Sequence, residues 1–173
     1  MLLPVGRNEG VVVDRRMFVR RDRRRYDGRE QRAALREWPS FAACSGKELA
    51  LVDSSTYEAR IEPGVVLARE QTFPGQITFV LEGWALETAG GAAVALAGPG
   101  SCVAGIAAVA RTVQPTTVRA QTSMLVRVAT APEYRTLIAR VDKLHPRIQA
   151  LPRIDDVVDR GIDELTTDTV MGR

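Results

Sequence analysis

A mainly β domain, a sandwich or barrel with flanking helices, is predicted by three features: strand-length runs broken by glycine- and proline-containing turns through the middle of the chain, two short capped helical stretches ahead of them, and a helical stretch behind. With 173 residues, 45% of them hydrophobic, the chain suits one such domain with some appended sequence. Its longest apolar run is well short of a membrane span, and Met1–Val5 followed by Arg7 lacks a secretory layout. The chain therefore reads as soluble and cytoplasmic, with no membrane partner.

The elements come in order along the chain. Residues 1–10 carry Pro4, Gly6 and Gly10 and show no periodicity, which predicts a loose end. Asp27 and Glu30 match a capping box, Ala33, Ala34 and Leu35 favour helix, and Pro39 closes that helix near Trp38. Ser45 and Glu48 form a second capping box, opening a helix through Leu49, Leu51 and Val52 that stops near Ser54. From Thr56 the period shortens. Tyr57–Ile61 alternates, Pro63-Gly64 turns, Val65–Ala68 is apolar, and Pro74-Gly75 turns again. Strands are expected over Ile77–Leu81, Trp84–Thr88 after Gly83, and Ala92–Ala97 after Gly90-Gly91. Pro99-Gly100 precedes a small apolar run from Cys102 to Ala110, and Thr116–Val128 alternates as one stretch. Ala131–Tyr134 opens a helix reaching Val141, Pro146 and Pro152 interrupt the next segment, and Ile154, Val157, Val158, Ile162 and Leu165 predict a last amphipathic helix.

Charge is concentrated at one end. Residues 1–40 hold eleven arginines and six acids, whereas the remainder holds thirteen basic and fifteen acidic residues, which leaves a net charge of +3. Arg15, Arg16, Arg20, Arg21, Arg23, Arg24 and Arg25 make a basic arm, with Met17, Phe18 and Val19 set among them. One acid, Asp22, faces these seven arginines within 15–25, too much like charge to fold in isolation and enough to bind an acidic surface. Arginine outnumbers lysine by 22 to 2 along the whole chain, so the ratio reflects codon bias better than selection, while the clustering does not.

The composition argues against most enzymes. Cys44 and Cys102 stand far apart with no CxxC, and His145 is the sole histidine, so neither a disulfide framework nor a zinc site is expected and no cofactor is called for. Ser45, Ser54 and Ser55 have no evident histidine partner, and Asp155, Asp156, Asp159 and Asp163 read as a solvated helix face rather than a metal site. Trp38, Phe41 and Trp84 read as packing residues.

The order of elements and turns over residues 32–151 resembles a cyclic nucleotide-binding domain, the ligand domain of the catabolite activator family, protein kinase A regulatory subunits and gated channels. The resemblance rests on Glu62-Pro63-Gly64-Val-Val-Leu67, Gly83, Leu96-Ala-Gly-Pro-Gly100, a short apolar helix and Thr117-Val-Arg-Ala120. It implies a double-stranded β-helix, a jelly-roll-like β-roll. Another double-stranded β-helix, such as a metal-binding cupin, would be expected to carry several histidines, and this chain has one. The division expected is a basic arm over 1–26, a β-roll with flanking helices over 27–151, and an amphipathic helix and tail over 152–173.

The resemblance also implies a phosphate cassette: a Gly-Glu pair at the start of the short helix, its glutamate on the ribose hydroxyl, and an arginine about nine residues later on the phosphate. Here the pair falls on Ala104-Gly105, followed by Ile106 and Ala107, and the arginine position falls on Gln114 or, with one extra residue, Pro115, ahead of Thr116. Both charged groups are missing. Arg111 could substitute only if its loop folded differently, and Arg119 only by turning inward. No helix-turn-helix module fits the 32 residues after Val141. The expected function is a noncatalytic interaction or regulatory subunit that has lost ordinary cyclic nucleotide binding. Its expected partner is an acidic protein surface or larger assembly. Nucleic acid is the alternative partner for the arm alone, and the acidic terminal face meeting the arm of another copy predicts self-association. The alternative function is a small-molecule sensor with an altered cassette.

Overall fold

A computed structural model describes residues 28–144. The basic arm, Asp27 of the first capping box, His145, Pro146, Pro152 and the amphipathic helix expected over 153–165 lie outside the described residues. Two helices come first, α1 (Gly28–Arg36) and α2 (Gly46–Ser55). Six strands come next: β1 (Tyr57–Ile61), β2 (Val66–Ala68), β3 (Gln76–Glu82), β4 (Ala85–Ala89), β5 (Ala92–Ala97) and β6 (Cys102–Val103). A short α3 (Gly105–Ala110), strands β7 (Thr117–Ala120) and β8 (Met124–Thr130), α4 (Ala131–Arg140) and a 3-10 turn at Asp142–Leu144 complete the described chain.

The eight strands form two four-stranded antiparallel sheets, ordered β1-β8-β3-β6 and β2-β7-β4-β5. The stretch Thr116–Val128, expected as one strand, is therefore two strands in different sheets, broken at Gln121–Ser123. The break is tied to Gly83. Its φ is 82°, and an added Cβ would strike the Ser123 carbonyl, so only a glycine lets the β3–β4 turn lie against this second turn.

Central strands β3 and β8 are buried on both faces, which is why they read as near-continuous apolar runs. One face meets the helices, where Phe41, Leu49, Val52, Ile77, Phe79, Leu81, Tyr134 and Leu137 pack together. The other face points into the roll, filled by smaller residues such as Ala59, Val80, Ala85, Ala97, Val118, Ala120, Val126 and Val128. Helices α2 and α4 each open on a capping box. The Ser45 hydroxyl accepts from the Glu48 N–H while the Glu48 carboxylate accepts from the Ser45 N–H, and Thr130 with Glu133 repeats the device ahead of α4. Lys143 reaches the same Glu48 carboxylate at 3.0 Å. Together with the Ser45 hydrogen bonds it holds that carboxyl at about 2, well below its ordinary value.

At the far end of α2, buried Arg127 on β8 takes over the last-turn acceptors. Its Nε donates to Thr56 Oγ1 at 2.7 Å and its Nη2 to Asp53 Oδ1 at 2.8 Å, while the Thr56 hydroxyl donates to the Val52 carbonyl at 2.7 Å. Carbonyls at a helix C-terminus lack intrahelical donors, so this cluster satisfies groups that burial would otherwise penalise. It also fixes how α2 lies across the sheet.

Candidate functional site

The cassette region begins where β6 turns into α3. Ala104 occupies the left-handed region at φ 65°, a conformation costing a non-glycine residue about 1–2 kcal/mol, which agrees with its place at the glycine of the pair. The next position has no room for a side chain. A Cβ on Gly105 would lie 2.7 Å from both Cys102 Sγ and the Tyr134 hydroxyl oxygen. The glutamate of the pair is thus missing from the sequence and barred by packing, because Tyr134 of α4 fills the space it would need. The Cys102 thiol donates to Tyr134 Oη at 3.6 Å. Burial pushes that thiol up to about 11, and burial with the neighbouring thiol raises the Tyr134 hydroxyl too.

Further along, Ala107 and Ala108 form the buried face of α3, whereas Ile106 is 55% exposed. Arg111 sits in the left-handed region at φ 54°, exposed to solvent. Arg119 is also exposed and donates through Nη1 to the Gly64 carbonyl at 2.7 Å. Neither arginine turns into the roll. Pro115 is exposed, and Gln114 occupies the interior position instead, only 6% exposed. Its backbone is locked across the loop: the Gln114 N–H donates to the Thr72 carbonyl, and the Gln71 N–H donates to the Gln114 carbonyl.

The Gln114 side chain starts a polar chain that sequence reasoning missed. Its Nε2 donates to Thr116 Oγ1 at 3.2 Å, and the Thr116 hydroxyl donates to Glu87 Oε2 at 3.3 Å. Glu87 lies on β4 opposite Val118 and Ala95, both buried, so the pleat aims it at the roll interior. Burial raises its carboxyl pKa, against the lowering effect of the Thr116 bond. The signal available in the sequence is parity: Glu87 is two residues from the buried Ala85 and shares its face.

Near this chain is a small hollow, open to solvent on one side, lined by Leu67, Ala68, Arg69, Phe73, Gln76, Ala104 and Gln114. Gln76 Nε2 donates to the Tyr57 hydroxyl at 3.2 Å on its wall. Phe73 stands at the mouth, 61% exposed. The expected ligand-contact positions are therefore divided, with Ala104 and Gln114 lining the hollow, Gly105 packed against Cys102 and Tyr134, and Ile106, Arg111 and Pro115 exposed. Among the described residues no group of His, Cys, Asp and Glu could hold a metal, and no helix is long and apolar enough to cross a membrane.

Two antiparallel sheets closed into a roll, a short helix between the sixth and seventh strands, and helices before and after define the fold of a cyclic nucleotide-binding domain. Solved structures carry the same fold. The regulatory domain of Toxoplasma gondii protein kinase A with cyclic AMP superposes with a TM-score of 0.58 at 15% identity, over 68% of this chain and 47% of that one. A cyclic nucleotide-binding protein from Geobacter metallireducens gives 0.56 at 18%, covering 65% of this chain and 84% of that one. The regulatory subunit of a cyclic AMP-independent protein kinase A from Trypanosoma cruzi, bound to guanosine, gives 0.54 at 18%, over 62% of this chain and 39% of that one. The chain thus spans about half or less of these two kinase chains. No family model and no curated protein matches the sequence.

Proposed function

We propose that this chain is a noncatalytic regulatory or interaction subunit whose β-roll serves as a rigid platform and has lost ordinary cyclic nucleotide binding. The observation that carries this reading is the cassette itself: Gln114 stands buried where the phosphate arginine is needed, and Tyr134 leaves no space for a glutamate at Gly105. Two charge-assisted hydrogen bonds, each worth about 1.5–3 kcal/mol, are absent, which weakens binding by about two to four powers of ten. The similar folds in regulatory subunits of protein kinase A, including a cyclic AMP-independent one, support a regulatory role.

Calorimetric titration of the full chain with cyclic AMP and cyclic GMP is expected to show no saturable binding below about 100 μM. Low-micromolar binding that disappears in Arg111→Ala overturns the reading. The contact element in this proposal is the arm over 1–26, with its arginines on an acidic protein surface and Met17, Phe18 and Val19 as apolar anchors. Deleting 1–26 should abolish partner capture from nuclease-treated host extract while leaving the melting temperature nearly unchanged. A large loss of thermal stability, or capture that survives the deletion, counts against the arm.

A second reading, a sensor for a ligand without a phosphate, is favoured by the neutral Gln114 floor and by the guanosine-bound Trypanosoma cruzi subunit of like fold. Guanosine in the same calorimeter separates the two readings.

A further inference from the structure

We infer that a proton on Glu87 decides which atom of the Gln114 amide faces the hollow, so that one interior carboxyl sets whether this wall accepts or donates a hydrogen bond. This goes beyond the partner-binding reading and does not depend on it. The path is a run of three side chains. Gln114 Nε2 donates to Thr116 Oγ1 at 3.2 Å, and the Thr116 hydroxyl donates to Glu87 Oε2 at 3.3 Å. Both donors point toward the carboxylate, an order that holds while Glu87 is ionised and can only accept. At the other end, Gln114 Oε1 has no donor among the described residues, and it is not sealed off, since no fully buried side-chain oxygen there lacks a partner. Gln114 lines the hollow, so the oxygen is the amide atom left for it.

Nothing in the surroundings fixes the charge on Glu87. Neighbouring β5 brings Ala95 opposite it and β7 brings Val118, while β2 carries no charged residue. The other sheet fills the roll with Ala59, Ile61, Val80, Val103, Val126 and Val128. Of the charged residues on adjoining segments, Arg119 is exposed and holds the Gly64 carbonyl, Arg69 and Arg111 are exposed, and the Glu70 carboxylate accepts from the Gly90 N–H. The ion pairs Arg127–Asp53 and Lys143–Glu48 both engage α2, on the helix side. Burial therefore acts on the Glu87 carboxyl with only the Thr116 hydrogen bond against it, and raises it above its ordinary value.

A proton taken from solvent reverses the run. Placed on Glu87 Oε2, it has Thr116 Oγ1 as its acceptor, whereas Oε1 has no hydrogen-bond partner among the described residues. The Thr116 hydroxyl then needs a new acceptor, and the Gln114 amide supplies one by turning its oxygen inward. Nε2 is released to the hollow. The turn costs no movement of the chain, because the Gln114 N–H is held by the Thr72 carbonyl at 2.8 Å and its carbonyl by the Gln71 N–H at 2.9 Å. With Glu87 ionised the hollow meets an amide oxygen, and with Glu87 neutral it meets an amide nitrogen on the wall that Arg69 also lines. The first state suits a group that donates and the second a carbonyl or carboxylate.

The test is a titration of the full chain, isotope-labelled for magnetic resonance, from neutral into acidic pH. The Glu87 side-chain carboxyl and the Gln114 side-chain amide are followed together. The carboxyl is expected to titrate above the range of a free glutamate, and the Gln114 amide signals to shift with the same midpoint. Thr116→Val removes the middle hydroxyl, so Glu87 should still titrate while the Gln114 shift is lost. Glu87→Gln should leave the Gln114 amide signals independent of pH. Should either variant fail to fold, the shared midpoint in the unaltered chain gives the answer. A Gln114 amide that stays flat while Glu87 titrates, coupling that survives Thr116→Val, or a Glu87 midpoint within the ordinary glutamate range overturns the relay. No ligand enters this experiment, so its failure is distinct from any failure of the proposed loss of nucleotide binding.

Discussion

The two faces of the β1-β8-β3-β6 sheet are packed from different side chains. On the helix side, Phe41, Phe79 and Tyr134 stand in tilted contact, with centroids 5.3 and 5.8 Å apart, among leucines and isoleucines. Inside the roll, alanines and valines predominate and the polar chain from Gln114 to Glu87 intrudes. Large rings fix the position of helices, whereas small side chains let two sheets approach until little space remains between them. Tyr134 belongs to the large-residue core, and its hydroxyl stands 2.7 Å from where a Cβ on Gly105 would lie.

The helix-side core is damaged most severely by Phe79→Ala, which removes the middle ring of the three. A loss of about 3–5 kcal/mol is expected in denaturant unfolding, because the neighbours cannot collapse into the space. A loss below about 1 kcal/mol would show that the helix side is no stiffer than the roll. Gly105→Ala should cost less, about 1–2 kcal/mol net. Alanine in a helix normally gains about 1 kcal/mol over glycine, but here its Cβ lies 2.7 Å from two heavy atoms and overpacking wins. A stabilised Gly105→Ala protein would show that Tyr134 yields easily.

The smallest expected effect is alkaline. Cys102 stays protonated in the folded chain up to about 11 against 9.0 for a free thiol, and the Tyr134 hydroxyl is raised with it. The unfolded chain therefore binds fewer protons above about 9, so stability falls as pH rises from there through about 11. The unfolding midpoint should hold steady near neutral pH and then decline, with a shallower decline in Cys102→Ala. A midpoint that is flat across this window in the unaltered chain would contradict the buried pair.

Much of the fold is legible in the sequence because its signals are local. The Ser45 and Glu48 box, the Pro-Gly turns and the short strands between them depend on neighbours along the chain, and each lies where those neighbours predict it. The break at Gln121–Ser123 is hidden by parity. Val118 and Ala120 before it, and Met124, Val126 and Val128 after it, all face inward at even positions, so alternation runs unbroken through a turn. At the site, the missing arginine and glutamate are legible as letters. Their replacements are not, since Tyr134 meets Gly105, and Thr116 meets Glu87, only after strands distant in sequence have paired.

Strand β8 has a consequence for the order of events during synthesis. It is the last of the eight strands to emerge, yet it lies between β1 and β3, pairing Met124–Val128 with Tyr57–Ile61 on one edge and Leu125–Thr130 with Gln76–Glu82 on the other. Helices α1 and α2 need only local contacts and can form early. Until Thr130 has left the ribosome, β1 has no strand partner and β3 lacks one of its two, so closure of the roll is a late step dominated by long-range pairing. A nascent chain stalled before Met124 would present unpaired apolar strands, the kind of surface that holdase chaperones retain.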